Sequence, residues 1–349
     1  MKEQSVLSLK KKILKTLKRE IERRTNVGQQ GLVNSKVESR LAVGYSRYKK
    51  NDFRLELRVQ RGEGKALKEA EKFKTEARGE ANIEIIPRIE IPSKNKIREG
   101  KVVQKSRKLR DYVRPLHIGL SIGHREGSAG TLGAFLEIDN NEYILSNCHV
   151  LAPTTQAQIT DPIFQPGRPD VKRLYAMKRV ANLSDFSELA REERNEVDSA
   201  VALLPPDTKH LSNQIPEGID CPMQGEMIRY RDDPGLLIKN KIVCKIGRTT
   251  GFTRGTISAI SLDNVPVLTP IGNVIFDNVI EINWLSSSQS FSKPGDSGSL
   301  VFTEDELIAI GLHFAGGIKI SKGRKVGVSY SCSIGTILKD FKATLLGKI

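Results

Sequence analysis

From about residue 116 onward the chain is a succession of short apolar runs separated by Gly, Asn, Asp and Pro, and no other feature constrains its fold as much. The runs are His117–Ile122, Thr131–Ile138, Glu142–Asn147, Arg173–Val180 and Val197–Leu204. After a break at Pro205-Pro206 come Ile242–Ile246, Gly255–Ser261, Val274–Asn283, Leu300–Thr303, Leu307–His313 and Val326–Cys332. Each is strand-length and bounded by turn formers, a spacing that predicts sandwiches or barrels. Roughly equal numbers fall on either side of the Pro-Pro break. Two barrel-like halves are therefore expected, one over about 116–205 and one over about 206–349, closed by a helix from Gly335 to Leu346.

The first third of the chain has a different character. Residues 1–110 hold 31 Lys/Arg and 14 Asp/Glu, a net of +17, whereas 111–349 hold 25 and 27, a net of −2. The overall +15 thus belongs to the N-terminal part, which argues for two parts with different jobs. Residues 3–25 read as a helix with Leu7, Leu14, Leu17 and Ile21 on one face, Val6 and Ile13 beside them, and Lys10, Lys11, Lys15, Lys18 and Arg19 on the other. Such a helix can dock its apolar stripe on a neighbouring element or a second subunit. Its basic face can equally meet a phosphate-rich or acidic surface, an acidic protein partner or a nucleic acid. No aromatic residue lies among these lysines to stack bases, and no nucleic-acid recognition motif is present.

Residues 1–36 are accordingly read as a basic helix and loop. Residues 37–92 are read as a small α+β module, with strands at 41–45, 53–59, 83–86 and 89–91 and a helix at 65–77. Residues 93–115 are a lysine- and arginine-rich linker.

The four cysteines, Cys148, Cys221, Cys244 and Cys332, have neither zinc-ligand nor disulfide-framework spacing. Reduced, buried thiols in a cytoplasmic protein are expected, with no metal and no organic cofactor. No run of about 18 apolar residues exists to span a membrane.

Chemistry concentrates in Pro294-Gly295-Asp296-Ser297-Gly298-Ser299, which directly precedes the apolar Leu300-Val301-Phe302. Two glycines can hold a turn whose backbone N–H groups converge on one point, as a developing oxyanion requires. A serine there is a candidate nucleophile if a base lies in reach, although the same residues are also ordinary turn chemistry. His149, in Ser146-Asn147-Cys148-His149-Val150-Leu151, follows an apolar strand. Asp198, in Val197-Asp198-Ser199-Ala200-Val201-Ala202-Leu203-Leu204, enters one, where a carboxylate is costly unless a partner awaits it.

In this order and these contexts, His149, Asp198 and Ser297 resemble the triad segments of the chymotrypsin-fold serine peptidases. Val243 to Ile257, with Gly247-Arg248-Thr249-Thr250-Gly251, resembles the second-barrel hairpin of bacterial members. The resemblance spans about 116–345 and implies a mainly β double antiparallel barrel of chymotrypsin type with a C-terminal helix, here preceded by a basic helix and a small α+β module. It implies Ser297 as nucleophile, His149 as general base and acid, Asp198 as the group orienting it, and the N–H groups of Gly295 and Ser297 as the oxyanion hole. It places the primary pocket at Phe291, Ser292, His313, Phe314, Ala315 and Gly316.

The chain also departs from the family. Ser299 stands where a second glycine is usual, Cys148 precedes rather than follows the histidine, and Arg254 stands where secreted relatives pair a cysteine with the one at Cys244. Phe291 supplies no counter-charge for a basic substrate side chain. A small or apolar side chain is expected in the pocket, with an acidic one as the alternative if His313 faces it. The expected function is an intracellular serine endopeptidase acting on protein or peptide through an acyl-enzyme, its N-terminal region regulating, recruiting or oligomerising it. The alternative is a catalytically silent binding protein on a peptidase fold.

Overall fold

The computed structural model describes residues 1–27, 40–60, 64–91, 108–153, 157–171, 177–191, 193–269, 271–285, 289–321 and 324–347. The N-terminal part comprises α1 (Glu3–Val27), β1 (Leu41–Lys49), β2 (Asp52–Gln60), α2 (Gly64–Glu76), β3 (Ala81–Ile86) and β4 (Ile89–Glu90). Next come β5 (Ser121–His124), β6 (Gly130–Thr131), β7 (Ala134–Ile138), β8 (Asn141–Ser146), the one-turn α3 (Cys148–Leu151), β9 (Pro162–Gln165), β10 (Lys178–Phe186), β11 (Arg194–Asn195) and β12 (Ala200–Leu203). The rest is β13 (Ile242–Gly247), β14 (Gly251–Asp263), β15 (Val265–Thr269), β16 (Gly272–Phe276), β17 (Val279–Trp284), β18 (Leu300–Thr303), β19 (Ala309–Ser321), β20 (Arg324–Ser333), α4 (Ile334–Asp340) and β21 (Thr344–Leu345).

The alternating apolar runs close into the expected architecture. In the second half β13, β14, β17, β20, β19 and β18 pair in that cyclic order, and β18 returns to β13, so six antiparallel strands form a closed barrel. Closure removes the unpaired edges that an open sheet would leave. The first half is an open antiparallel sheet in the order β21-β7-β8-β12-β10-β9-β5-β6. One continuous core joins the halves, running from Leu120, Phe135, Ile144 and Val201 to Ile246, Phe302 and Leu312. Each such side chain contributes about 1.5–3 kcal/mol when fully buried. The molecule is mainly β, a closed six-stranded barrel and an open half-barrel in the chymotrypsin-type double-barrel arrangement, with a C-terminal helix and an α+β N-terminal part.

Several elements differ from expectation. The C-terminal helix ends at Asp340, because Lys342 adopts φ 51°, and the chain then forms β21 against β7. The expected run Val274–Asn283 is divided between β16 and β17, and β15, which pairs with β16, matches none of the expected runs. Strands β14 and β19 are 13 residues each, well beyond the expected 255–261 and 307–313. The expected loop at 26–36 and linker at 93–115 lie largely outside the described residues.

The extra length of those strands is where the N-terminal part attaches. Along one edge of β14, β13 pairs as far as Thr256, and β1 then takes over at Ile260 and Asp263. Along one edge of β19, β18 pairs to Leu312, and β4 and β3 follow at Gly316 and Ile320. The N-terminal strands therefore continue the barrel's own sheet. Between them lies a buried ionic cluster. Arg58 of β2 holds Glu281 of β17 through Nε and Nη2 at 2.9–3.0 Å and Glu56 through Nη1 at 2.9 Å. Lys319 reaches Glu84 at 2.5 Å and Glu281 at 3.3 Å, and Lys239 reaches Glu56 at 2.5 Å. Three cations thus balance three carboxylates.

The basic helix α1 buries Val6, Ile13 and Leu17 against Leu41, Val43, Leu55 and Leu57, with α2 contributing Ala66, Ala70 and Phe73. Lys10, expected on the solvent face, lies on the buried line instead, and Leu7 is 41% exposed. The cause is the far end of β14: the Lys10 ammonium pairs with Asp263 at 2.9 Å and donates to Ser261 O at 2.5 Å and Oγ at 2.8 Å. The stripe is therefore rotated toward an anion that the helix sequence alone does not reveal.

Candidate active site

His149 sits in the one-turn helix that follows β8, and Asp198 sits immediately before β12, which pairs with β8. The pairing of Ala200 with Ser146 brings the two side chains together across adjacent strands. Asp198 is fully buried. Its Oδ2 lies 2.5 Å from His149 Nδ1, and its Oδ1 accepts the His149 backbone N–H at 3.2 Å. Asn147 Nδ2 donates to the Asp198 carbonyl at 2.6 Å and ties the two strand ends together. A carboxylate partner requires the proton on Nδ1, which leaves Nε2 with its lone pair.

Ser297 lies in the turn that leads into β18, 7% exposed. Gly295 has φ 98° and Gly298 has φ 90°. At Gly298 the space is closed as well: a Cβ there would lie 2.1 Å from Ser146 Oγ and 2.5 Å from Thr131 O. The turn is pinned to the first half of the chain, since Thr131 N–H donates to Ser297 O at 2.8 Å and Thr131 Oγ1 to Gly295 O at 2.9 Å. It is also the start of the β18–β19 ladder, through Gly298 N–H to His313 O at 2.8 Å and His313 N–H to Ser299 O at 2.9 Å. Ser297 is thereby fixed at the junction of the two halves, with its neighbour Gly298 against Ser146, the last residue of β8. Among the described residues no hydrogen bond joins Ser297 Oγ to His149 Nε2. Nor do the N–H groups of Gly295 and Ser297 meet an acceptor among them.

Asp296 shapes the turn from within. Its carboxylate accepts from the N–H groups of Lys293 at 2.9 Å, Thr249 at 2.8 Å and Thr250 at 3.1 Å, and from Thr250 Oγ1 at 2.8 Å. The fully buried Lys245 ammonium lies 3.4 Å away. Burial alone would raise the Asp296 pKa, but Lys245 and these donors outweigh it and hold the carboxyl below its usual range. Burial in turn pulls Lys245 down. Sequence reasoning missed Lys245. Its signal was a lysine at an inward position of an otherwise apolar strand, Val243-Cys244-Lys245-Ile246.

Two cavities flank this junction. One, of about 290 Å³, is lined by His149, Ala152, Pro153, Phe186, Leu189 and Thr269, among others. The other, of about 480 Å³, is lined by Ser292, Ser297, His313, Phe314, Ala315 and Gly316, and also by Trp284 and by Glu90 of β4. Phe291, expected at the pocket base, does not line it. Its ring is fully buried in the second barrel with Val243, Ile257 and Ile282, under the Lys245 ammonium at 5.6 Å. The side chain alternates inward there, and Ser292, one residue on, faces the cavity instead. His313 Nδ1 lies 3.2 Å from Tyr330 O, so Nδ1 carries the proton. Burial, with Lys245 nearby, pushes the His313 pKa down to about 3. All four cysteines are free and buried, and no group of metal-ligating side chains occurs among the described residues.

No protein-family model and no curated protein matches the chain. Among solved structures it is similar to a glutamic acid specific serine protease, with 16% identity and a TM-score of 0.46 over 66% of this chain and 100% of that one. It is similar also to Thermobifida fusca protease A, with 13% identity and a TM-score of 0.45 over 66% of this chain and 98% of that one. Nocardiopsis protease gives 15% identity and a TM-score of 0.44 over the same 66% of this chain and 98% of its own.

Proposed function

We propose that this chain is a serine endopeptidase in which Ser297 attacks the peptide carbonyl, His149 takes and returns the proton, and Asp198 orients the imidazole. The observation that carries this reading is the buried Asp198 carboxylate engaging both the backbone N–H and Nδ1 of His149. A buried carboxylate bonded to Nδ1 fixes the tautomer in which Nε2 can act as base and stabilises the imidazolium that follows. The N–H groups of Gly295 and Ser297 serve the oxyanion of the tetrahedral intermediate, and collapse of that intermediate leaves an acyl-enzyme for water to hydrolyse. No metal or organic cofactor enters these steps.

The cavity beside Ser297 suits a small or apolar substrate side chain. Neutral His313, with its proton committed to Tyr330 O, presents only a lone pair at Nε2. An acidic side chain would gain nothing from this imidazole, which burial keeps neutral, and would meet Glu90 as well as Lys293 in the same lining. Four reduced, buried thiols suit a reducing, intracellular compartment. The exposed lysines of α1 remain a candidate surface for an acidic partner, a nucleic acid or a second subunit.

A fluorophosphonate probe tests the reading. Stoichiometric labelling of Ser297, abolished in a folded Ser297→Ala variant, is the expected result. No labelling at any pH would replace this reading with a binding protein that has kept the fold and lost the chemistry.

A further inference from the structure

Strand β19 has one edge that begins at the nucleophile turn. Up to Leu312 this edge is covered by β18, and at His313 by the turn itself, through Gly298 and Ser299. Beyond it, Phe314, Ala315 and Gly316 line the cavity that contains Ser297. An extended peptide presenting a carbonyl to Ser297 would gain main-chain hydrogen bonds by pairing along this edge, the usual way a chain adds to an open sheet.

The edge is already occupied. Glu90 of β4 pairs antiparallel with Gly316, and Glu90 is itself part of the cavity lining. The segment is held on its other side by β15, where Ile89 pairs with Val267, Glu90 pairs with Leu268, and Ile91 N–H donates to Leu268 O at 2.8 Å. Thr269, the next residue of β15, lines the cavity beside His149. The paired strands β4 and β15 thus reach from the Ser297 cavity, at Glu90, to the His149 cavity, at Thr269. The direction of β4 matters too. Gly316 is three residues past His313, about 10 Å along a strand. Because β4 is antiparallel to β19, the chain advances from Glu90 to Ile91 toward the nucleophile turn. Ile89 and Ile91 are buried, so the contact is seated rather than grazing.

We infer that β4 is an internal occupant of the peptide-binding edge, and that the chain in this state is self-blocked against extended substrates until β4 is displaced. The inference rests on the peptidase reading for the identity of the displaced ligand, but its central claim, one edge with two competing strands, does not depend on catalysis.

The test uses the full chain carrying Ser297→Ala and a fluorescein-labelled peptide copying residues 86–91, read by fluorescence anisotropy. Glu90→Pro weakens β4 by removing a backbone donor, and Ile89→Ala weakens it independently by loosening its seat. Thermal unfolding monitored by circular dichroism selects whichever variant remains folded. Expected is at least a tenfold tighter peptide affinity in the loosened chain than in the chain with intact β4. Unchanged or weaker affinity overturns the inference, because β4 is then a permanent wall of the site. Fluorophosphonate labelling of the unsubstituted chain is run alongside. Tighter peptide binding without labelling keeps the two-strand competition and discards the peptidase; labelling with unchanged peptide binding does the reverse.

Discussion

At the scale of single residues, the Asp198–His149 contact makes a directional claim. Asp198→Asn keeps the shape but can donate to Nδ1, favouring the tautomer whose Nε2 carries a proton and cannot act as base. On the peptidase reading, a fall in kcat of about four orders of magnitude, with KM little changed and the fold intact, is expected from steady-state kinetics. His313 makes a different claim, about stability. Folded, its pKa is depressed to about 3 by burial; unfolded, it returns to about 6.5. The unfolded state therefore binds the extra proton between these values. His313 contributes stability that is fully present above pH about 6.5 and is lost as pH falls through that window. Urea unfolding across this pH range should show a smaller acid slope for His313→Asn than for the unsubstituted chain. An equal slope would mean that the buried imidazole is not what titrates.

At the scale of elements, the ionic cluster decides how the N-terminal strands meet the barrel. Burial would raise the Glu281 carboxyl, yet Arg58 and Lys319 hold it far below the usual range. It is stabilising above its unfolded value of about 4.3 and loses that contribution as pH falls below it. Removing one partner leaves an uncompensated buried charge, so Arg58→Met should cost about 3–5 kcal/mol by urea denaturation. Adding Glu281→Gln should recover a large part of that loss, because the orphaned charge goes with it. Additive losses in the double variant would show that packing, not charge pairing, dominates there. This element also marks where sequence reading stops. Strand positions in the two halves were legible because alternation and turn residues are local signals. The cluster was not, because Arg58 and Glu281 lie 223 residues apart, and a charged residue in an alternating strand reads as a solvent-facing one. Lys10 was misplaced for the same reason, since its anion is at Asp263.

At the scale of the whole molecule, the Asp198 side chain is as buried as its apolar neighbours imply. The joining of the parts was hidden, because nothing local says that a strand outruns its neighbour. Strands β14 and β19 do so, and their overhanging edges are covered only by β1, β3 and β4 among the described residues. This has a consequence for truncation. Removing residues 1–91 would bare two strand edges, expose the part of the shared core now packed against Ala42, Ile86, Ile89 and Ile91, and leave Glu281 without Arg58. Bare edges of that kind template association between chains, and of the ionic cluster Glu281 keeps only Lys319. The isolated 92–349 segment is therefore expected to aggregate or to lose its near-ultraviolet circular dichroism, although it contains both halves of the double barrel. Co-expression with a separate 1–91 chain should restore a soluble complex, because the same strand pairings and ion pairs can form between two chains. A truncated segment that is soluble, monomeric and as stable as the full chain would mean that the second barrel is complete by itself, and that the shared sheet is a docking arrangement rather than part of the fold.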